Sequence, residues 1–173
     1  DSVMITPSFS HLGDGDLLRR LTAEVGHDHA TTATLLALIA EVDARRLYLP
    51  AGFPSMFAYC VHELRMSEDT AFKRIRAART ARQFPAIFDA VAEGRLHLTA
   101  VLFLTPHLTP DNAGELLAAA SHRTKAEIEQ LLAERFPRPD LPERVQAITP
   151  PAAPTLLSDP LARGRVQGLQ RQL

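Results

Sequence analysis

From residue 16 to residue 136 the apolar positions recur at spacings of three and four, the period of an amphipathic helix, and nowhere do they alternate with polar ones over a strand length. Leu17, Leu18, Leu21 and Val25 follow Asp14 or Asp16, a capping residue for a short first helix. Asp28 or Thr31 opens a second, longer one bearing Leu35, Leu36, Leu38, Ile39, Val42 and Leu47, which Pro50 halts. Ser55 starts a third, with Met56, Phe57, Tyr59, Cys60, Val61 and Leu64 as its apolar set. A fourth begins at Ser67-Glu68-Asp69-Thr70 and runs to about Gln83. Phe84-Pro85 opens a fifth that continues through Glu93 to the C-cap glycine Gly94. Leu98 to Leu104 forms a sixth, closed by Pro106. Thr109-Pro110-Asp111 places proline in a first turn and starts a seventh, with Leu116 to Ala120 as its apolar stretch. Thr124 and Glu127 form a capping box for an eighth helix carrying Ile128, Leu131 and Leu132. The expectation is an all-α bundle of about eight helices over residues 16–136.

The flanks differ in kind. Residues 1–15 are polar and read as a flexible lead-in, whereas residues 137–173 hold seven of the 13 prolines and read as an extended linker or arm. The sequence stops at Gln170-Arg171-Gln172-Leu173 without a capping signal, so a further C-terminal module is expected beyond it.

Composition narrows the function classes. With 46% apolar and 23% charged side chains in 173 residues, the chain has enough apolar surface for one domain with a core. No apolar run reaches the roughly 18 residues of a spanning helix and the N-terminus lacks a signal-peptide pattern, so a cytoplasmic protein without a membrane partner is expected. The single cysteine, Cys60, rules out an internal disulfide; in an apolar helix it reads as a packing residue. A net charge of -1 predicts no global attraction to nucleic acid, so any such binding must be local.

One stretch is locally charged. Ser55 to Arg82 reads as helix, a turn of about three residues at Arg65-Met66-Ser67, then helix, the length expected of a helix-turn-helix. Between Arg65 and Arg82 six cations (Arg65, Lys73, Arg74, Arg76, Arg79, Arg82) face two acids (Glu68, Asp69), a local net charge of +4. Ala71, Ile75, Ala78 and Arg82 share one helix face, with Lys73, Arg74 and Arg76 directed elsewhere. Such a stripe suits phosphate contacts; it equally suits a solvated face whose arginines complement the helix dipole. Of the seven histidines only His27-Asp28-His29 cluster, without zinc-site spacing, and no nucleophile motif or phosphate loop is present. On these grounds no catalytic or metal-ligating residue is assigned.

Several separated segments resemble a known family. They are Asp43-Ala44-Arg45-Arg46-Leu47-Tyr48-Leu49-Pro50-Ala51-Gly52-Phe53-Pro54-Ser55-Met56-Phe57-Ala58-Tyr59-Cys60, Met66-Ser67-Glu68, Lys73 to Arg79, Phe84-Pro85-Ala86-Ile87, Glu93 to Ala100 and Pro106 to Asn112. In that order they resemble the helical N-terminal region of bacterial HNH endonuclease-family proteins of the myxobacterial type, over about residues 16–147. The resemblance implies a Pro-rich linker followed by a C-terminal ββα-metal nuclease module holding a divalent ion. No histidine of this sequence matches the nuclease motif, so the resemblance carries over no catalytic residue and no cofactor to these residues. It makes DNA the expected partner, met by a non-catalytic targeting module through the six cations. The competing expectation is a protein-interaction or dimerisation module using apolar residues of Phe53 to Phe57 and Leu98 to Leu108.

Overall fold

The computed structural model describes residues 8–139, and over them the backbone is helical with no strand. Seven α-helices occur among these residues: α1 (Asp14–Arg45), α2 (Met56–Ala58), α3 (Glu68–Gln83), α4 (Ala86–Ala92), α5 (Leu98–Leu104), α6 (Ala113–Ala120) and α7 (Lys125–Arg135). A π turn, Tyr59–Glu63, extends α2, and a 3-10 turn, Thr105–His107, extends α5. All-α is thus correct. The Pro-rich arm from residue 140 onward lies outside the described residues.

The expected break near Asp28 to Thr31 is absent, and α1 runs for 32 residues as one helix. Capping requires a polar side chain to leave the helical pattern and take a backbone N–H. The threonine hydroxyls here stay inside it: Thr22 and Thr34 each donate to the carbonyl four residues back, Leu18 O and Ala30 O, at 3.0 Å. Gly26 is exposed, and the helix passes through it. At the start Gly13 is the N-cap without a side-chain bond, while Asp14 and Asp16 occupy the first turn, where the helix dipole favours them. The helix ends at Arg46, whose left-handed backbone (φ 52°) turns its N–H onto the Asp43 and Val42 carbonyls.

The third expected helix is shorter and wider than its pattern suggested. Ser55 caps it as anticipated, its hydroxyl accepting from Ala58 N at 3.0 Å. The chain then widens: Leu64 N reaches Tyr59 O at 3.1 Å and Met66 N reaches Cys60 O at 3.0 Å. Arg65 reverses the direction with φ 56°.

α3 is the axis of the domain. Ala71, Ile75, Ala77, Ala78, Thr80 and Ala81 are all buried, so small side chains occupy most of its circumference. Alanine lets neighbouring helices approach closely, and α1, α2, α4 and α5 all pack on it. The hydroxyls of Thr80 and Thr105 meet at 2.8 Å, joining α3 to the end of α5. Larger side chains fill the spaces around that axis: Leu36, Met56, Ile87, Leu104, Leu116 and Ile128 have almost no exposure.

Two further ends are fixed chemically. His97 caps α5 by accepting from Ala100 N on Nδ1 at 3.0 Å, a role its sequence context did not reveal. The capping box of α7 is present: Thr124 accepts from Glu127 N, and the Glu127 carboxylate accepts from Thr124 N at 2.7 Å. Those bonds from the Thr124 backbone and hydroxyl hold the Glu127 carboxyl below its ordinary range. Because the folded value is lowered, the box contributes fully above the unfolded carboxylate value and is lost as pH falls through the folded one. Acid should therefore loosen α7, seen as faster amide exchange over residues 125–130, and Glu127→Gln, which cannot titrate, should remove that pH dependence.

Two glycines should respond with opposite sign. At Gly94 (φ +71°) an added Cβ would lie 2.5 Å from Nδ1 of His29, so Gly94→Ala meets both a disfavoured backbone and a ring of α1. It should lower stability by about 2 kcal/mol or more, measured by denaturant unfolding. Gly26, with nothing within 4 Å, sits in an exposed helix interior, and Gly26→Ala should stabilise local helix by about 1 kcal/mol, slowing amide exchange around it roughly fivefold.

Candidate nucleic-acid interface

Because α3 is buried on most sides, only a narrow strip of it meets solvent: Glu68, Asp69, Phe72, Arg76, Arg79 and Gln83, with Arg82 beside it. The six expected cations are divided by this geometry, not gathered.

Arg79 is held by α1. Its Nε donates to Asp43 Oδ2 at 2.7 Å and its Nη2 to Oδ1 at 3.0 Å, a two-pronged clamp across 36 residues of sequence. That hydrogen bonding raises the Arg79 pKa above its already high ordinary value, against the opposing effect of burial. The Asp43 side chain is 16% exposed and that of Arg79 59%, so the pair lies at a wet edge. Lys73 bonds Asp69 one turn earlier, Nζ to Oδ2 at 2.7 Å.

Arg74 turns inward. Its Nη1 lies 4.0 Å from the Met66 sulfur, and its Nε is buried without a hydrogen-bond partner among the described residues. It is half-buried against Met66 in the turn that links the π turn to α3, so only part of it is presented to solvent, less than the spacing suggested. Burial pushes the Cys60 thiol pKa up, Asp43 adds to this and Arg74 opposes it, so the thiol stays protonated and unreactive.

Three cations remain open. Arg65, Arg76 and Arg82 are exposed and form no ion pair among the described residues. Arg76 lies over the Phe72 ring, its guanidinium carbon 5.5 Å from the centroid, which limits its motion. Arg82, which the spacing sets on the face of Ala71, Ile75 and Ala78, is exposed: the buried arc of α3 shifts to Thr80 and Ala81 in the last turns. The arm before α3 is a three-residue helix plus a π turn.

Sequence reading missed Asp43 as the partner of Arg79, since no local spacing reveals a contact between distant helices. Arg46 is exposed and follows Asp43 by three residues, so the clamp on Arg79 brings this further cation to the edge of α3. The apolar segments expected to serve a protein partner are mostly core. Met56, Val101 and Leu104 are buried, and among Phe53 to Phe57 only Phe57 is an exposed large apolar side chain.

Two depressions lie elsewhere on the surface of the described residues. One, about 600 Å³, is lined chiefly by Phe103, His107, Leu132 and Phe136, with His107 stacked on Phe136 at 4.6 Å between centroids. The other, about 290 Å³, lies between Asp28, His29 and Thr32 of α1 and the Gly94 to Leu98 segment. His29 is half-buried there, while His27 is exposed. Among the described residues no three His, Cys, Asp or Glu side chains converge as a metal site. No helix among them is long and apolar enough to cross a membrane.

Fold and surface thus define an all-α domain with a partly neutralised basic strip on its axial helix. No protein family, curated protein or solved structure matches this chain.

The clamp predicts its own measurement. A double-mutant cycle on Asp43→Ala and Arg79→Ala should give a coupling of about 1 kcal/mol, reduced from that of a buried pair because the arginine is more than half exposed. Additive single mutants would mean the clamp is not populated in solution.

Proposed function

We propose that this chain is a non-catalytic, DNA-targeting part of an HNH endonuclease-family protein, meeting the phosphate backbone through the solvent side of α3 and the turn before it. One observation carries the reading. Arg76 and Arg82 are exposed cations without an acidic partner among the described residues, on a helix anchored by burial on its other sides, and Arg65 is another in the turn before it. A helix fixed in this way holds its cations at set positions, so less side-chain and backbone freedom is lost when phosphates bind. Arg65 also occupies a left-handed conformation where glycine would be easier, and such local strain concentrates at functional positions. Glu68 and Asp69 oppose phosphate at the helix start, so contact falls on Arg76, Arg82 and neighbouring Arg46, with Lys73, Arg74 and Arg79 secondary. Cleavage belongs, on this reading, to a further HNH module and its divalent ion.

The test is duplex-DNA binding at two salt concentrations. Affinity should fall with salt at a log–log slope of about -0.9 per neutralised phosphate. Arg76→Ala with Arg82→Ala should flatten that slope by up to about two units and weaken all sequences alike, whereas Arg74→Met should change little. Absence of binding by the wild type at low salt would reject the reading.

A second reading, assembly through protein contacts, is favoured by a different observation: Leu17, Leu18, Leu21 and Val25 form an apolar stripe on α1 that no other helix among the described residues covers.

A further inference from the structure

Building on the DNA contact proposed above, we infer that the exposed strip of α3 holds unpaired DNA, with Phe72 as the ring on which a base stacks and with Arg76 and Arg82 on the phosphates beside it. Among the exposed positions of α3, Phe72 alone is apolar, and it is 50% exposed. The core does not use it: Ala71, Ile75 and Ala78 supply the buried face of the helix, and the Phe72 ring does not pack against them. Phe72, Arg76, Arg79 and Gln83 are spaced i, i+4, i+7 and i+11, so the ring stands at the head of a line of polar side chains about 16 Å long. Arg76 lies over the ring, its guanidinium carbon 5.5 Å from the centroid, and half of the aromatic side chain still meets water.

The geometry of the strip selects the form of DNA. A recognition helix enters the major groove with its N-terminal residues foremost. In α3 those residues are Glu68 and Asp69, which repel the phosphates bordering a groove, and α1, α2, α4 and α5 pack on the helix behind them. Against a duplex the strip therefore reaches only the outer backbone, where an apolar ring gains nothing from phosphate. In an unpaired strand the base faces are open. An aromatic ring then takes any base by stacking while neighbouring cations hold the backbone. The acids nearby leave one side for that backbone. Asp69 is bonded by Lys73 at 2.7 Å, Asp43 of α1 is taken up by Arg79, and Glu68 keeps its charge at the N-terminal end. Phosphates are thus directed to the C-terminal side of Phe72, where Arg76 and Arg82 have no acidic partner among the described residues. Arg76 serves both parts of the contact, lying over the ring beside the base and offering N–H groups to phosphate. Charge density alone favours the duplex, since an unpaired strand releases about 0.7 counterions per neutralised phosphate against about 0.9. Preference for the unpaired strand is therefore a signature of stacking and not of charge.

The experiment compares a mixed-sequence single-stranded oligonucleotide with the same sequence as a duplex, at two salt concentrations, on the full chain, with helical circular dichroism on every variant. The wild type should bind the unpaired strand several-fold more tightly. Phe72→Leu, which keeps an apolar side chain but no ring face, should lose about tenfold on the unpaired strand while its salt slope and its duplex affinity stay as in the wild type. Phe72→Tyr should bind as the wild type does. The chain contains no Trp, so Phe72→Trp gives a single reporter, whose emission should be quenched by the unpaired strand and little by the duplex. Three results would overturn the inference: a duplex bound as tightly as the unpaired strand, full unpaired-strand affinity in Phe72→Leu, or Trp emission left unchanged by an unpaired strand that binds. In each of these cases, salt-dependent duplex binding that weakens in the Arg76→Ala, Arg82→Ala variant would leave the targeting role standing. Binding of neither form at low salt would overturn both.

Discussion

Everything in the described domain is arranged around the small side chains of α3. Ala71, Ala77, Ala78 and Ala81 are buried on several sides of one helix, which is possible only because a methyl group leaves room for four neighbours. The larger volumes come from the partners: Leu36 from α1, Met56 from α2, Ile87 from α4 and Leu104 from α5. Close-packed interiors register a single methylene, so each alanine is constrained from above. A larger residue there must displace a helix, not fill a void. Thr80 joins this set without an unsatisfied hydroxyl, because it can share its proton between Arg76 O and Thr105.

Much of this was legible in the sequence, and the failures are instructive. Caps with a dedicated side chain were readable: Ser55, Ser67 and Thr124 all accept from the N–H three residues on. What failed was the converse inference, that a polar cluster between apolar sets must interrupt a helix. Over His27 to Thr34 the hydroxyl of Thr34 bonds back into the helix, so α1 continues and about eight helices become seven α-helices among the described residues. Burial failed for a related reason. Periodicity identifies an apolar face but not what faces it, so Leu17 and Leu35 look identical in sequence while only the latter reaches the core.

The candidate site shows the same limit in electrostatic form. A local charge of +4 is a sum over side chains, whereas phosphate meets a spatial field that includes residues from elsewhere in the chain. Asp43 reaches across from α1 to neutralise Arg79, Asp69 does so for Lys73, and burial withdraws Arg74. The same contact that subtracts Arg79 adds Arg46 to the neighbourhood. The stripe is thus thinned at its middle and extended at its edge, a redistribution that no count over a window can register.

The length of α1 links these two surfaces. At 32 residues it spans about 48 Å, yet the domain packs against only its C-terminal half. An isolated half-helix of some fifteen residues is marginal in water, and the Arg19–Asp16 and Arg20–Glu24 pairs on its exposed face contribute only a few tenths of a kcal/mol each. Continuity with the buried half supplies the nucleus, which removes the initiation penalty but not the tendency of the far end to fray. A sequence that merely needed a lead-in could place polar residues at 17, 18, 21 and 25 with no loss to the core. Four apolar residues in phase with the buried face instead expose apolar surface in the free chain, an arrangement that becomes favourable only when something covers it. Asp43, near the buried end of α1, also fixes Arg79, so the same half of the helix supplies both core contacts and the clamp on the α3 strip.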